Sequence, residues 1–212
     1  DISGAAVAYK TVLALRFTKS NLYKQEICLL NIEKNNDSYE IDCLKIRNLV
    51  IQKTFHDSIS LENQHFSPDK FLKFINGQQI FVWNKNKCIN LFKECLGNGF
   101  DFNFFDLENE ISSLIPQVKG LTLSQLKEHS KIAKYLPSEN SEIHGFFNIF
   151  VTYVTKLQAK NFPEDVKQEE KDLQLVSLAA LADIMPLQDE NRILVGEGVR
   201  IINTHKPRPG QI

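Results

Sequence analysis

The chain contains Asp172-Leu-Gln-Leu-Val-Ser-Leu-Ala-Ala-Leu-Ala-Asp183-Ile-Met-Pro186-Leu187, an almost wholly apolar run that delivers one carboxylate immediately before a proline turn. Asp189-Glu-Asn-Arg192-Ile-Leu-Val-Gly-Glu-Gly198 follows at once. An aspartate between a buried element and a proline turn commonly serves as a cap. A carboxylate at the end of an apolar element can also be compensated by a metal ion. Asp183 is therefore a candidate cap whose charge needs compensation.

A second informative stretch lies at the other end of the chain. It is Ile2-Ser-Gly-Ala-Ala-Val-Ala-Tyr-Lys10, and it continues through apolar residues to Leu15. Ser3 can cap a helix and Gly4 allows a close backbone approach, while the apolar residues that follow form one surface. The pattern predicts the start of a packed helix.

In this order, the two stretches resemble segments of RecJ-type single-strand DNA exonucleases, members of the DHH phosphoesterase superfamily. The resemblance implies that Asp183 matches the last aspartate that binds the family's divalent metal pair, Mn²⁺ or Mg²⁺. Typical relatives have only a short connection between these segments. Here the intervening chain is long enough to be a domain. We therefore predict a discontinuous DHH-domain portion, residues 1–22 and 160–212, that carries an inserted domain, residues 23–159.

Composition limits the possible classes of protein. The chain has 212 residues, of which 42% are hydrophobic and 24% charged, so it is typical of a globular protein. It has no apolar run long enough to span a membrane, its N-terminal residues do not have the pattern that predicts an export signal, and its four cysteines are scattered. These features favour a cytoplasmic protein with reduced thiols. The net charge of −1 is not the overall positive charge that is typical of a nucleic-acid-binding protein.

The inserted region predicts alternating strands and helices. Ser67-Pro68 has the pattern of a capped helix start, and Gly77 the pattern of a helix end. The predicted strands are residues 25–33, 39–47, 49–55, 79–83 and 102–106, and the predicted helices are 68–75, 88–96, 107–114, 121–129 and 142–158. This order is similar to that of a ribonuclease H-like domain. The predicted fold class is therefore α/β, and the resemblances imply a mixed-sheet domain inserted into a helical C-terminal portion of a DHH phosphoesterase domain.

The inserted region also resembles the DEDD-type 3′→5′ proofreading exonucleases. Leu30-Asn-Ile-Glu33 matches the family's Asp-x-Glu pair, and Val82-Trp-Asn-Lys85 matches a His-Asn pair that leads to a second aspartate at Cys88. Gly120 to His129 resembles the family's Gly-x-x-Leu-x-x-Leu helix. His144 matches the general-base histidine, five residues before the last aspartate position.

Departures from that pattern predict loss of catalysis. Asparagine stands at position 31, cysteine at 88 and isoleucine at 149, so Glu33 alone remains of the four acidic ligands. Two divalent metals need several hard, anionic oxygen ligands. His144 then lacks a metal-activated water and is more simply a helix-start or core histidine. The other aspartates of the region, Asp37, Asp42, Asp101 and Asp106, are expected to lie away from the Glu33 end of the sheet.

The resemblances imply an internal fragment of a single-stranded-DNA-specific 5′→3′ exonuclease that hydrolyses phosphodiesters in DNA repair and recombination. The complete enzyme would use Mn²⁺ or Mg²⁺, whereas this chain alone is expected to be inactive and to bind no metal. An alternative is a non-catalytic module that binds nucleic acid or a protein partner through a degenerate exonuclease fold. Trp83 could either pack or line an exposed binding surface, and Pro163 to Asp172 is expected to be a solvated connector.

Overall fold

The computed structural model describes residues 2–36, 38–60, 68–97, 99, 102–130 and 141–204. The chain divides into two compact units: unit 1 comprises Asp1–Tyr23 and Gln158–Ile212, and unit 2 comprises Lys24–Leu157. The predicted domain boundaries, after residue 22 and after residue 159, lie within two residues of the boundaries between these units. Among the described residues, no helix is both long enough and apolar enough to span a bilayer.

Unit 1 is helical. It contains α1 (Gly4–Phe17), α7 (Pro163–Ala182) and α8 (Asp189–Thr204), and the final turns of α6 (Ser141–Asn161) also belong to it. The Ser3 side chain accepts a hydrogen bond from the Ala6 amide at 3.2 Å, as expected for the predicted cap. Helix α7 packs against both α1 and α8.

The acidic stretch from Pro163 to Asp172 is helical, so the prediction of a solvated connector was wrong. Pro163 occupies the first turn of α7, where its missing amide hydrogen costs nothing, and acidic residues follow it. Two cations of the α1 region then pair with this stretch. Arg16 lies 3.4 Å from both Glu169 and Asp172, and Lys19 lies 2.6 Å from Asp165. These contacts give the charge run a structural role.

Unit 2 is built on one five-stranded mixed sheet, so the coarse α/β prediction is confirmed. Its strands are β1 (Glu26–Lys34), β2 (Ser38–Arg47), β3 (Val50–Ser60), β4 (Gln79–Val82) and β5 (Phe104–Asp106), in the spatial order β3-β2-β1-β4-β5. The first three strands are antiparallel, whereas β4 is parallel to β1 and β5 is parallel to β4. The carboxyl ends of β1, β4 and β5 therefore share one edge.

Helices of unit 2 connect and follow the strands. They are α2 (Pro68–Ile75), α3 (Lys85–Leu96), α4 (Glu108–Leu114), α5 (Leu123–His129) and α6, with a 3₁₀ turn at Pro116–Val118. Ser67, the predicted cap of α2, lies outside the described residues. The third strand extends five residues beyond its expected end at Phe55. A two-residue turn at Asn48 and Leu49, both with positive φ, joins it to β2 in the manner of a type I′ hairpin.

Both faces of the sheet are covered. One face packs against α2 and α3 around Phe71, which is fully buried and stacks on Phe92 at 5.5 Å between ring centroids. On the alternate face, the buried residues include Leu29 and Leu44. Burial of β1 on both sides explains its nearly continuous apolar sequence. It also makes the polar residues at its carboxyl end conspicuous.

Candidate functional site

A small pocket of about 120 Å³ opens at the carboxyl ends of β1 and β4. We call it the Glu33 pocket. Its lining comes from β1, the start of α3, the start of α4 and the segment that leads into α5: Asn31, Glu33, Trp83, Asn84, Lys87, Cys88, Glu108 and residues 120–123. The structure therefore brings Asn31, Glu33 and Cys88 together, although they are far apart in the sequence.

Lys87 supplies the cation of this pocket. Its Nζ lies 3.5 Å from Glu33 Oε1, and its backbone amide donates to Asn84 Oδ1 at 2.9 Å. Asn84 is thus the N-cap of α3, and this cap fixes the first helical turn beside β1. The Lys87 ammonium thus supplies a positive charge beside Glu33 from the chain itself.

The remaining matched positions offer no further anion. Burial raises the pKa of the Cys88 thiol to about 12, so the group stays protonated at neutral pH. Asn31 is buried, with only 6% of its surface exposed, and its side-chain amide is neutral. A protonated thiol and an amide cannot offset the charge of a metal pair.

Glu142, in the first turn of α6, is a second carboxyl group at this site, and the sequence did not single it out. Burial, and after it the neighbouring Glu33 carboxylate, raise its pKa to about 7, while Ser124 and Lys87 act in the opposite direction. Glu142 Oε2 is buried and has no hydrogen-bond partner among the described residues. With Glu108 in the lining, the site holds one cation, Lys87, and three carboxyl groups, of which that of Glu142 is near its titration point at neutral pH.

We expect the carboxyl group of Glu142 to make stability depend on pH. Its folded-state pKa lies above the ordinary glutamate value, so the stabilisation is complete below about pH 4.5 and is lost as the pH rises through about 7. Glu142→Gln, which removes this ionisation, should raise the thermal midpoint at pH 8 and leave it nearly unchanged at pH 5. The exposed Glu128→Gln is the matched control. Equal shifts at both pH values would contradict the assignment.

Two further matched residues do not join the pocket lining. His144 is half-buried, and burial lowers its pKa, although the nearby Asp42 carboxylate opposes this effect. Ile149 lines a different cavity, of about 440 Å³, between α5 and α6. At that interface, Gly145 lies so close to Lys127 that an added Cβ would approach the Lys127 backbone to 3.0 Å. Helix α6 therefore packs closely on α5 where Ile149 lines this second cavity.

The expectation that no other aspartate approaches the Glu33 end was wrong for Asp42 and Asp106. Asp42 is paired with Asn31 across the β1–β2 ladder and bonds His56 Nδ1 at 2.9 Å. Asp106 ends β5 at the shared edge, but its oxygens accept the amides of Lys85 at 2.8 Å and Glu108 at 3.0 Å. Both carboxylates are thus engaged locally. Asp37 and Asp101 lie outside the described residues.

Asp183 occupies the C-cap position of α7 and is exposed. The next two amides close a Schellman motif: Ile184 donates to the Leu181 carbonyl at 3.1 Å, and Met185 donates to the Ala180 carbonyl at 3.0 Å. Ile184 has φ of +52°, a conformation that is costly for a β-branched residue, and it is 89% exposed. The apolar sequence therefore ends in a strained, exposed turn that presents a carboxylate.

Neither the Glu33 pocket nor the turn at Asp183 forms a metal centre from the described residues. Among these residues, no group of three or more His, Cys, Asp or Glu side chains is placed to hold a metal ion.

Trp83 is 4% exposed, donates to the Leu121 carbonyl at 2.7 Å and packs edge-on against Phe146. Its role is therefore packing beneath the pocket.

Comparisons with known proteins give no family assignment. The chain matches no protein-family model, no curated protein and no solved structure.

Proposed function

We propose that unit 2 is a non-catalytic, exonuclease-like binding module inserted into the DHH-domain portion of a RecJ-type single-strand DNA exonuclease. The observation that carries this proposal is the Glu33 pocket. It lies where the DEDD resemblance puts a metal pair, but the Lys87 ammonium pairs with Glu33, and Asn31 and Cys88 are uncharged. Such a pocket stands at the place expected for a nuclease site, but it lacks the charge that metals require.

The arrangement of unit 2 supports the ribonuclease H-like assignment. Three strands, a helix, a strand, a helix, a strand and then helices follow one another, which is the order on which that resemblance rests. The parallel β1, β4 and β5 bring their carboxyl ends to one edge, where binding sites of such sheets commonly lie. Asn31, Glu33, Asn84 and Cys88 all line one pocket at that edge.

The surface of unit 1 supports its assignment as part of a larger domain. Nearly all the large apolar side chains that are exposed among the described residues belong to its helices and to the turn after α7. They are Val7, Val12, Leu15, Leu175, Leu178, Leu181, Ile184, Leu187, Ile193 and Val199. Exposed apolar area on this scale is typical of a surface that another part of the protein covers.

In the complete enzyme, unit 1 would contribute Asp183 to a Mn²⁺ or Mg²⁺ site for 5′→3′ phosphodiester hydrolysis. The metals would supply charge neutralisation and water activation when bound, and the carboxylate of Asp183 would hold them. Unit 2 would contribute binding to single-stranded DNA or to a protein partner. Catalysis would then depend on unit 1 and on ligands from elsewhere in the enzyme.

An end-labelled oligonucleotide assay tests the proposal. The chain is incubated with 5′-labelled single-stranded DNA and Mg²⁺ or Mn²⁺, and fluorescence anisotropy measures binding in parallel. We expect no shortening from the 3′ end, with or without Glu33→Ala. Metal-dependent 3′→5′ shortening that Glu33→Ala abolishes would show that unit 2 is an active nuclease and would overturn the proposal.

A further inference from the structure

Strand β3 forms an edge of the sheet in unit 2 and leaves its outer side without a strand partner in the described part of the chain. It is long, and after a register irregularity opposite Lys45 and Ile46 it runs regularly from Lys53 to Ser60. Gln52, Lys53, Thr54, His56 and Ser58 are exposed. Unpaired amides and carbonyls on such an edge can pair with another strand.

The charges along this edge are self-complementary. Lys53 and Asp57 lie on the same face of β3 with Phe55 midway between them. If two copies of β3 pair antiparallel about a twofold axis at Phe55, Lys53 of each copy lies opposite Asp57 of the other. The same register places Thr54 opposite His56. An isologous pair of this kind makes each favourable contact twice.

Contacts within the chain leave both charges open to this pairing. Neither Lys53 nor Asp57 forms an ion pair with another described residue, and Asp57 only accepts the neighbouring Ser58 amide at 3.0 Å. On the inner side, Lys53 faces Lys45 across the β2–β3 ladder. Lys45 has Glu26 as an anionic partner at 3.8 Å, and an incoming aspartate would give Lys53 an anionic partner as well.

Edge charges usually prevent strand pairing, because a second copy brings like charges together. Here the twofold register brings opposite charges together instead. We propose that the β3 edge is a self-association surface, through which two copies of this chain join their sheets antiparallel with Lys53 facing Asp57. A contact through one strand edge buries less surface than the roughly 1,200–2,000 Å² of stable interfaces, so the dimer should dissociate on dilution.

Charge reversal tests this register directly. Sedimentation equilibrium of the chain should show a monomer–dimer equilibrium that weakens with added salt. Lys53→Asp gives the edge two carboxylates and Asp57→Lys gives it two ammonium groups, so each variant alone should self-associate roughly tenfold or more weakly. The double exchange should restore the dimer. An equimolar mixture of the two single variants should also dimerise, because each copy then faces the opposite charge.

The mixture separates loss of the interface from loss of folding, since two unfolded variants would not rescue each other. Unchanged circular dichroism and Trp83 fluorescence provide the second control. A wild-type chain that is monomeric at all concentrations would overturn the proposal, even if it bound an extended peptide along β3. So would a dimer that both charge reversals leave intact.

Discussion

Replacement of Asp183 by alanine in the proposed complete exonuclease is expected to reduce Mn²⁺-dependent hydrolysis of single-stranded DNA by about a hundredfold or more. The loss follows from the proposed role of this carboxylate as a ligand, because a methyl group cannot share the charge of a divalent cation. Stability should change by no more than about 0.5 kcal/mol, since Asp183 is exposed at the C-cap of α7. Nucleotide release and thermal unfolding are measured on the same preparation.

The conservative variant Asp183→Asn separates charge from shape. It keeps the size of the side chain and the polar C-cap, but it removes the negative charge, so its activity should fall nearly as far as that of Asp183→Ala. Near wild-type hydrolysis by either variant would favour the capping role of Asp183. A loss of activity that merely follows a loss of stability would favour it as well.

Gly198→Ala is expected to destabilise unit 1 by roughly 1–3 kcal/mol. An added Cβ at this position would lie 2.4 Å from Ser177 Cβ and 2.7 Å from the Leu173 carbonyl oxygen. Ser177 is fully buried, so α8 must move away from α7 to accommodate the methyl group. The shift is measured by thermal unfolding with far-UV circular dichroism.

Gly196 provides a matched control in the same helix, two residues earlier. A Cβ there meets no atom within 4 Å, so Gly196→Ala should stabilise α8 by up to about 1 kcal/mol through helix propensity alone. Opposite signs for the two substitutions are the expected result. If both substitutions stabilised the protein, the close packing of α7 and α8 would be wrong.

Local sequence patterns predicted the start of α1 and the strands and helices of unit 2 because their signals are short-range. The cap at Ser3, the proline at the first position of α2 and the apolar run of β1 each act within a few residues. Pro163 to Asp172 was misjudged, because high charge suggested solvent. The partners that hold it, Arg16 and Lys19, are distant in sequence.

The candidate site was predictable only where its residues follow strand ends. Asn31, Glu33 and Cys88 were placed by their relation to β1 and to the start of α3. Glu142 was missed because its contact with Glu33 depends on how α6 returns to the sheet, which no local pattern encodes. Ile149 occupies another cavity for the same reason, since tight packing at Gly145 sets the rotation of α6.

The central claim is that Glu33 pairs with Lys87 and that the Glu33 pocket does not bind a metal ion. A Mn²⁺ titration of the chain, in which electron paramagnetic resonance measures free Mn²⁺, tests it. Wild type and Glu33→Ala should show the same weak, non-stoichiometric binding, because Lys87 already places a positive charge beside Glu33 and neither Asn31 nor Cys88 is anionic. Stoichiometric binding by the wild-type chain that Glu33→Ala removes would contradict the account.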